Sequence, residues 1–230
     1  MEKIIIDIET GDAPSASLLL EQSLVRPHAN TKAEKTKLKQ IKEKQDKLAE
    51  NAALLDSSPI LCIGTRSAIG TLIFVASDKP VHPRINADCR FYSDEATMLA
   101  AFQLWLDRLG DGDVQFIGHN IEKVKDIGGF DLPHLRFRYA FYNWKMPKCL
   151  DPYHTKSIDT MFLAWKSSHA KTPYISLDEI ALRLGLIDKP FPIDGKDIPK
   201  LWNQGEFQAC ILKNLHDLLL TEQVYLRLSA

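Results

Sequence analysis

The stretch "KIIIDIET", residues 3 to 10, is central to interpreting the chain because it ends an apolar run with two carboxylates. Three isoleucines lead into Asp7, and one apolar residue separates Asp7 from Glu9. β-Branched residues favour strands and the turn-like "GDAPS" follows, so "EKIIIDI" is predicted to be the first strand. Because residues i and i+2 of a strand point to the same face, both carboxylates are directed at one spot.

Two like charges at one spot repel each other unless a cation lies between them. Mg²⁺ is a hard ion that takes carboxylate oxygens and keeps several waters, so Asp7 and Glu9 are candidate Mg²⁺ ligands. The alternative interpretation is a polar strand end that faces solvent. Further acidic residues near the same spot are needed to decide between the two.

Strand and helix patterns continue along the chain and predict an α/β fold, a mixed sheet of about five strands flanked by helices. Residues 60–67 and 70–77 form a predicted hairpin, 113–120 a fourth strand, and 156–165 a strand that passes into a helix. Further helices are predicted at 93–110, 131–143, 176–186 and 205–228. No linker-like segment divides the sequence, so residues 1–230 are predicted to form one domain.

A charged segment interrupts this pattern at about residues 28–56, after the first strand. Seven lysines lie between residues 32 and 47, against four acids between residues 34 and 50. The apolar residues Leu38, Ile41 and Leu48 make only a thin stripe, which indicates a solvated, lysine-rich helical insertion. It is either an exposed charged face or a basic arm that contacts phosphates.

Composition places few limits on the partner. The 230 residues carry a net charge of −1, so a nucleic acid would need a local basic surface. The four cysteines, at 62, 89, 149 and 210, show no zinc-like spacing and are expected to be reduced thiols. No apolar run approaches the roughly 20 residues of a membrane span, and no signal peptide is evident. We therefore expect a cytoplasmic protein.

Two acids downstream are candidates to join Asp7 and Glu9. Asp131 lies between a glycine pair and a helix, where it either faces a neighbouring strand end or caps the helix. Asp217 lies in an apolar helix, although aspartate is a poor helix former. It either has a buried partner or forms an exposed ion pair with Lys213, four residues earlier. Together, four acids can converge on two Mg²⁺ or Mn²⁺ ions, which at roughly 3.5–4 Å separation stabilise the attacking and leaving oxygens of a phosphoryl displacement.

Three segments with these acids resemble the exonuclease motifs of the DEDD superfamily of 3′–5′ exonucleases. The segments are "IIIDIET", "FIGHN…FDLPHLRFR" and "GEFQACILKNLHDLLLTEQVYLRL". The similarity spans nearly the whole chain and is greatest to stand-alone, phage-type exonucleases related to the proofreading domain of family B DNA polymerases. It implies a ribonuclease-H-like fold, two metal ions, and a substrate that is single-stranded DNA, or another nucleic acid, with a free 3′ end.

The resemblance also implies roles for individual residues. Asp7 would bridge both metals, Glu9 would bind one metal and hold the attacking water, and Asp217 would ligate the first metal. Asp131 would act through water or the second ion. Residues implied in substrate binding are Thr10, Asn120, Phe130 and Arg136, the last of which is otherwise a helix-surface arginine.

The chain departs from the family pattern in two places. About half of "IEKVKDIGGF", between Asn120 and Asp131, looks inserted, so Lys123 and Lys125 either contact the strand or decorate the surface. In addition, the water-orienting tyrosine four residues before the last aspartate is replaced by Lys213. A lysine there can hydrogen-bond the water or offset phosphate charge. It is a poor base unless its pKa falls from about 10.4.

The leading hypothesis is therefore a metal-dependent 3′–5′ exonuclease in which Lys213 joins the four acids as a catalytic residue. One alternative is a nucleic-acid-binding module of the same fold that is weakened or inactive because the tyrosine is missing. Another is a relative that acts on RNA, which would differ in contacts to the 2′-hydroxyl.

Overall fold

The computed structural model of the chain describes residues 1–31, 33–50, 55–81, 85–110, 114–122, 129–168 and 174–230. Six strands form one mixed sheet in the order β4-β3-β2-β1-β5-β6. Strand β2 is antiparallel to β1 and β3, whereas β1–β5, β5–β6 and β3–β4 are parallel pairs. The strands are β1 Glu2–Thr10, β2 Ile60–Ser67, β3 Gly70–Val75, β4 Asp88–Phe91, β5 Val114–Gly118 and β6 Lys156–Asp159.

Eight α-helices are present in the described part of the chain. They are α1 Ser15–Leu24, α2 Glu34–Glu50, α3 Glu95–Leu109, α4 Asp131–Phe141, α5 Thr160–Lys166, α6 Leu177–Arg183, α7 Ile198–Asn203 and α8 Phe207–Ser229. The mixed α/β class is confirmed, and the sheet has one strand more than the expected five, namely β4. None of the described helices has the length and apolar composition needed to cross a membrane.

The alternation of side chains along β1 separates the core from the candidate site. Ile4, Ile6 and Ile8 pack into the largest hydrophobic cluster, together with residues of α3 and α4. Ile5 lies on the opposite face, where it packs with Leu218 of α8. Since side chains alternate along a strand, Asp7 and Glu9 share the face of Ile5. The two carboxylates therefore lie on the side of the sheet that α8 covers.

A glycine on β2 allows α8 to lie very close to the sheet. Gly64 pairs with Asp7 in the β1–β2 ladder. A methyl group on Gly64 would overlap the Oδ1 atom of Asn214 and come within 2.6 Å of Leu218 Cδ1. The absent side chain therefore permits the close approach that brings α8 beside the end of β1.

Helices α1 and α2 form an arm, residues 15–50, between β1 and β2. The two helices contact mainly each other, and the side-chain amides of Gln22 and Gln45 each donate to the other residue's carbonyl, at 3.2 and 3.0 Å. At the base of the arm, Gly11 N donates to Pro59 O at 2.9 Å. The arm is thus anchored where β1 ends and β2 begins.

Candidate metal centre

The end of β1 and the middle of α8 bring three carboxylates together. Each of Asp7, Glu9 and Asp217 offers an oxygen, and these oxygens all lie within 4.8 Å of one another. Glu9 is buried, and the Asp217 side chain is 15% exposed. Within the described residues, three or more acidic, histidine or cysteine side chains come close enough to share an ion at this one place.

Asp131 contributes a fourth carboxylate from the first turn of α4. It lines the same cavity as the other three, a space of about 380 Å³. Asp131 is only 4% exposed, yet its Oδ2 atom has no hydrogen-bond partner in the described structure. A buried carboxylate oxygen without a partner is costly, which indicates that a cation or donor completes the site.

The electrostatic environment opposes the accumulation of negative charge on this cluster. Burial, followed by the charge of Asp217, raises the pKa of Asp7 well above its usual value. Burial and then the charge of Asp7 do the same for the pKa values of Glu9 and Asp131. A nearby multivalent cation would offset both effects, so the cluster is a candidate site for a divalent cation.

Lys213 supplies positive charge to the cluster. Its ammonium group pairs with the Asp217 carboxylate, and the Lys213 side chain is only 11% exposed. Burial alone would lower the pKa of Lys213, but the carboxylates of Asp217, Asp7 and Glu9 together raise it. While it is paired with Asp217, Lys213 therefore acts as a positive charge within the cluster and not as a general base.

Asn214 is a site residue that the sequence interpretation missed. It is fully buried, and its Nδ2 atom donates to Asp7 Oδ2 at 2.7 Å and to Asp7 O at 3.2 Å. These bonds orient the Asp7 carboxylate towards the cluster. The signal in the sequence is a polar residue three positions before Asp217, on the same face of an apolar helix.

His119, directly after β5, was also missed, and it lines the same cavity. Its ring nitrogens lie 3.0 Å from Thr160 Oγ1 and 2.9 Å from Ile175 O. Burial lowers the pKa of His119 to about 4, so the ring is neutral at physiological pH. His119 therefore forms an uncharged wall of the cavity.

The residues expected to contact substrate separate into two groups. Thr10, Asn120 and Phe130 line the cavity beside the carboxylates. Arg136 is not among the lining residues, and its guanidinium group binds Glu122 at 2.8 and 2.6 Å and Leu150 O at 2.6 Å. Its expected contact with phosphate remains a prediction that the geometry does not favour. Lys123 and Lys125 lie outside the described residues.

A second cavity, of about 540 Å³, meets the first at Asp7 and Asp217. Its wall includes Lys213, Asp178 and Phe191. His216, the neighbour of Asp217, stacks on Phe191 with ring centroids 4.4 Å apart. Asp7 and Asp217 thus line both cavities, whereas Glu9 and Asp131 line the first alone.

Comparison with known proteins does not identify a family or a function for the chain. No protein-family model matches the chain, and no curated protein matches it. The chemistry of the site is therefore argued from its own residues. Four carboxylates that line one cavity can bind divalent cations and position a phosphodiester beside them.

Proposed function

We propose that the chain is a metal-dependent 3′–5′ exonuclease with a ribonuclease-H-like fold, related to the DEDD superfamily. It would hydrolyse the last phosphodiester bond of a DNA strand, releasing a nucleoside 5′-monophosphate and leaving a 3′-hydroxyl. The observation that carries the proposal is the convergence of Asp7, Glu9, Asp131 and Asp217 on one cavity. The three motif-like segments that hold these acids occur in the order typical of that superfamily.

The four carboxylates fit a pair of Mg²⁺ or Mn²⁺ ions. Carboxylate oxygens are the ligands that such hard cations prefer. The Oδ2 atom of Asp131 has no hydrogen-bond partner in the described structure, so it is available as a metal ligand. When bound, the ions would supply activation of a water molecule and stabilisation of the leaving oxygen. Asp7, Glu9 and Asp217 would hold the first ion, and Asp131 would complete the second site.

The remaining residues position the substrate and the ligands. Asn214 holds Asp7 in place through its hydrogen bond to Oδ2. Thr10, Asn120 and Phe130 line the cavity where a terminal nucleoside would sit, and Phe130 offers a ring for base stacking. Lys213 would offset the charge of the scissile phosphate after Asp217 has taken up a metal ion.

A second candidate function is a strand-binding module with weak or absent catalysis. The observation that favours it is the ion pair between Lys213 and Asp217, which places an ammonium group on an expected metal ligand. If the pair persists, metal would load poorly and cleavage would be slow. Retention of the three other carboxylates favours the enzyme instead, because clustered buried charge without a cation is destabilising.

The test is a gel assay on single-stranded DNA labelled at its 5′ end, in Mg²⁺ and then in Mn²⁺. We expect a ladder that shortens from the 3′ end with the wild-type protein and no ladder with Asp7→Asn. An intact strand whose mobility shifts in a metal-dependent way would support the binding module. An RNA strand of the same sequence tests the third alternative, since faster shortening of RNA would indicate an RNA-directed enzyme.

A further inference from the structure

The outer part of the helical arm is strongly basic. Residues 25–42, called here the basic tip, hold six lysines and arginines and one acidic residue, a net charge of +5. The whole chain carries −1, so the remainder carries −6. This segment therefore carries a net positive charge within an otherwise net acidic chain, and none of its described residues lines the acidic cavity.

Three lysines of the tip share one exposed face of α2. Lys35, Lys39 and Lys42 are spaced at i, i+4 and i+7, which places them on one side of a helix, and all three are exposed. The side of α2 that carries Gln45 contacts α1. Of the three lysines, Lys39 has a partner in Glu43 at 3.6 Å, with both side chains more than half exposed. Such a pair is weak, so a phosphate group can replace it.

The arm is connected directly to the candidate site. Thr10 and Asp12 line the cavity, and α1 begins only three residues later, at Ser15. The return strand begins at Ile60, which pairs with Thr10. Along α2, at 1.5 Å per residue, the three lysines lie roughly 12–22 Å from the end of the helix nearest this root. A strand whose 3′ end lies in the cavity must therefore extend over several nucleotides before it reaches these lysines.

A polyanion that enters an acidic cavity needs a basic surface elsewhere to hold it. Before metal binds, the four carboxylates repel a phosphodiester strand, and Lys213 offsets only part of that charge. Exposed lysines such as those of the tip would supply that attraction through counterion release, which does not depend on base sequence. The arrangement separates binding of the strand from chemistry at its end.

We propose that the basic tip binds the phosphate backbone of a single strand several nucleotides upstream of the 3′ end held in the cavity. The proposal rests on the proposed function for the location of the 3′ end. The binding itself requires only a single strand and no cleavage, so it can be tested separately. A protein partner is the competing occupant, and DNA binding that ignores the tip would favour it.

The experiment compares Lys35→Gln/Lys39→Gln/Lys42→Gln with a control triple variant, Lys79→Gln/Lys145→Gln/Lys148→Gln, which removes the same charge from other exposed lysines. Fluorescence anisotropy would measure binding of DNA strands of 3 to 20 nucleotides in Mg²⁺, with phosphorothioate linkages at the 3′ end that suppress cleavage. We expect the tip variant to bind the 20-mer about tenfold to a hundredfold more weakly than wild type. Its salt slope should fall by about 2, since each lost phosphate contact removes about 0.7.

Strand length is the second readout. We expect the tip and control variants to bind the trinucleotide equally, and to diverge for strands long enough to reach from the cavity to the tip. Equal salt slopes for the two variants, or an equal loss at every length, would overturn the proposal. If the tip effect is present but the wild-type protein yields no ladder in Mg²⁺ or Mn²⁺, the tip assignment stands and the exonuclease assignment fails.

Discussion

Lys213 and Asp217 lie one turn apart on α8, and their ion pair sets the charge of the candidate metal centre. Lys213 also stabilises the ionised forms of Asp7 and Glu9, because its ammonium group lowers the pKa of each against the larger effect of burial. A divalent cation at the same carboxylates would feel repulsion from that ammonium group. Lys213 and the metal therefore compete for Asp217.

We predict that Lys213→Met binds Mn²⁺ about tenfold more tightly than wild type, because the competing charge is removed and the side-chain volume is largely kept. Isothermal titration calorimetry on the metal-free proteins gives the two dissociation constants. Lys196→Met is the matched control, since Lys196 lines the same cavity but its side chain is 74% exposed and paired with Asp194. Unchanged or weaker Mn²⁺ binding by Lys213→Met would contradict the competition.

Some site residues were accessible from sequence and others were not. Asp7 and Glu9 follow from the two-residue period of a strand, which is a local property of the chain. The contact of Asn214 with Asp7 depends on how α8 is positioned against β1, and no local pattern encodes that position. Arg136 illustrates the converse, because its partner Glu122 lies 14 residues away and removes it from the exposed surface expected of a helix arginine.

At the scale of elements, the site depends on the contact between α8 and β2. Gly64 has no side chain to separate the two, and Asn214 occupies the space that a methyl group would need. Because Asn214 also holds Asp7, the packing of α8 and the orientation of a metal ligand are linked. A change at Gly64 should therefore affect stability and metal binding together.

We predict that Gly64→Ala lowers the free energy of unfolding by about 1–3 kcal/mol, through overpacking against Asn214 and Leu218. It should also weaken Mn²⁺ binding, because α8 must shift relative to Asp7. Urea denaturation and calorimetry measure the two effects. Gly195→Ala is the control for stability, since a methyl group there meets no atom within 4 Å. A Gly64→Ala protein with wild-type stability would contradict the close approach.

The elements missed by sequence share a physical reason. Strand β4 is an edge strand of only four residues, Asp88–Phe91, and its alternation of exposed and half-buried positions is too short to distinguish a strand from a loop in the sequence. Helix α1 buries no residue and leaves Leu19, Leu20 and Leu24 exposed. Its apolar residues therefore do not form a stripe that faces the core. The helix packs against α2 instead. Long elements with one buried face, such as α3 and α8, were predicted because their pattern is set by the core.

At the scale of the whole molecule, the acidic and the basic residues that matter for function lie on different elements. The sheet and α8 assemble an acidic cavity, while the arm between β1 and β2 carries the basic tip. A protein with net charge −1 can therefore present both a cation-binding centre and a surface for a polyanion. Net charge alone conceals this division, which only the charge of each segment reveals.

The central claim is that the carboxylates of β1, α4 and α8 form a divalent-metal centre, and Mn²⁺ titration of the metal-free protein tests it most directly. Calorimetry would compare wild type with Asp7→Asn and with Asp46→Asn, which removes an exposed carboxylate on α2. We predict saturable Mn²⁺ binding by wild type and Asp46→Asn, and at least tenfold weaker binding by Asp7→Asn, about 1.4 kcal/mol or more. Equal Mn²⁺ binding by all three proteins would contradict the account.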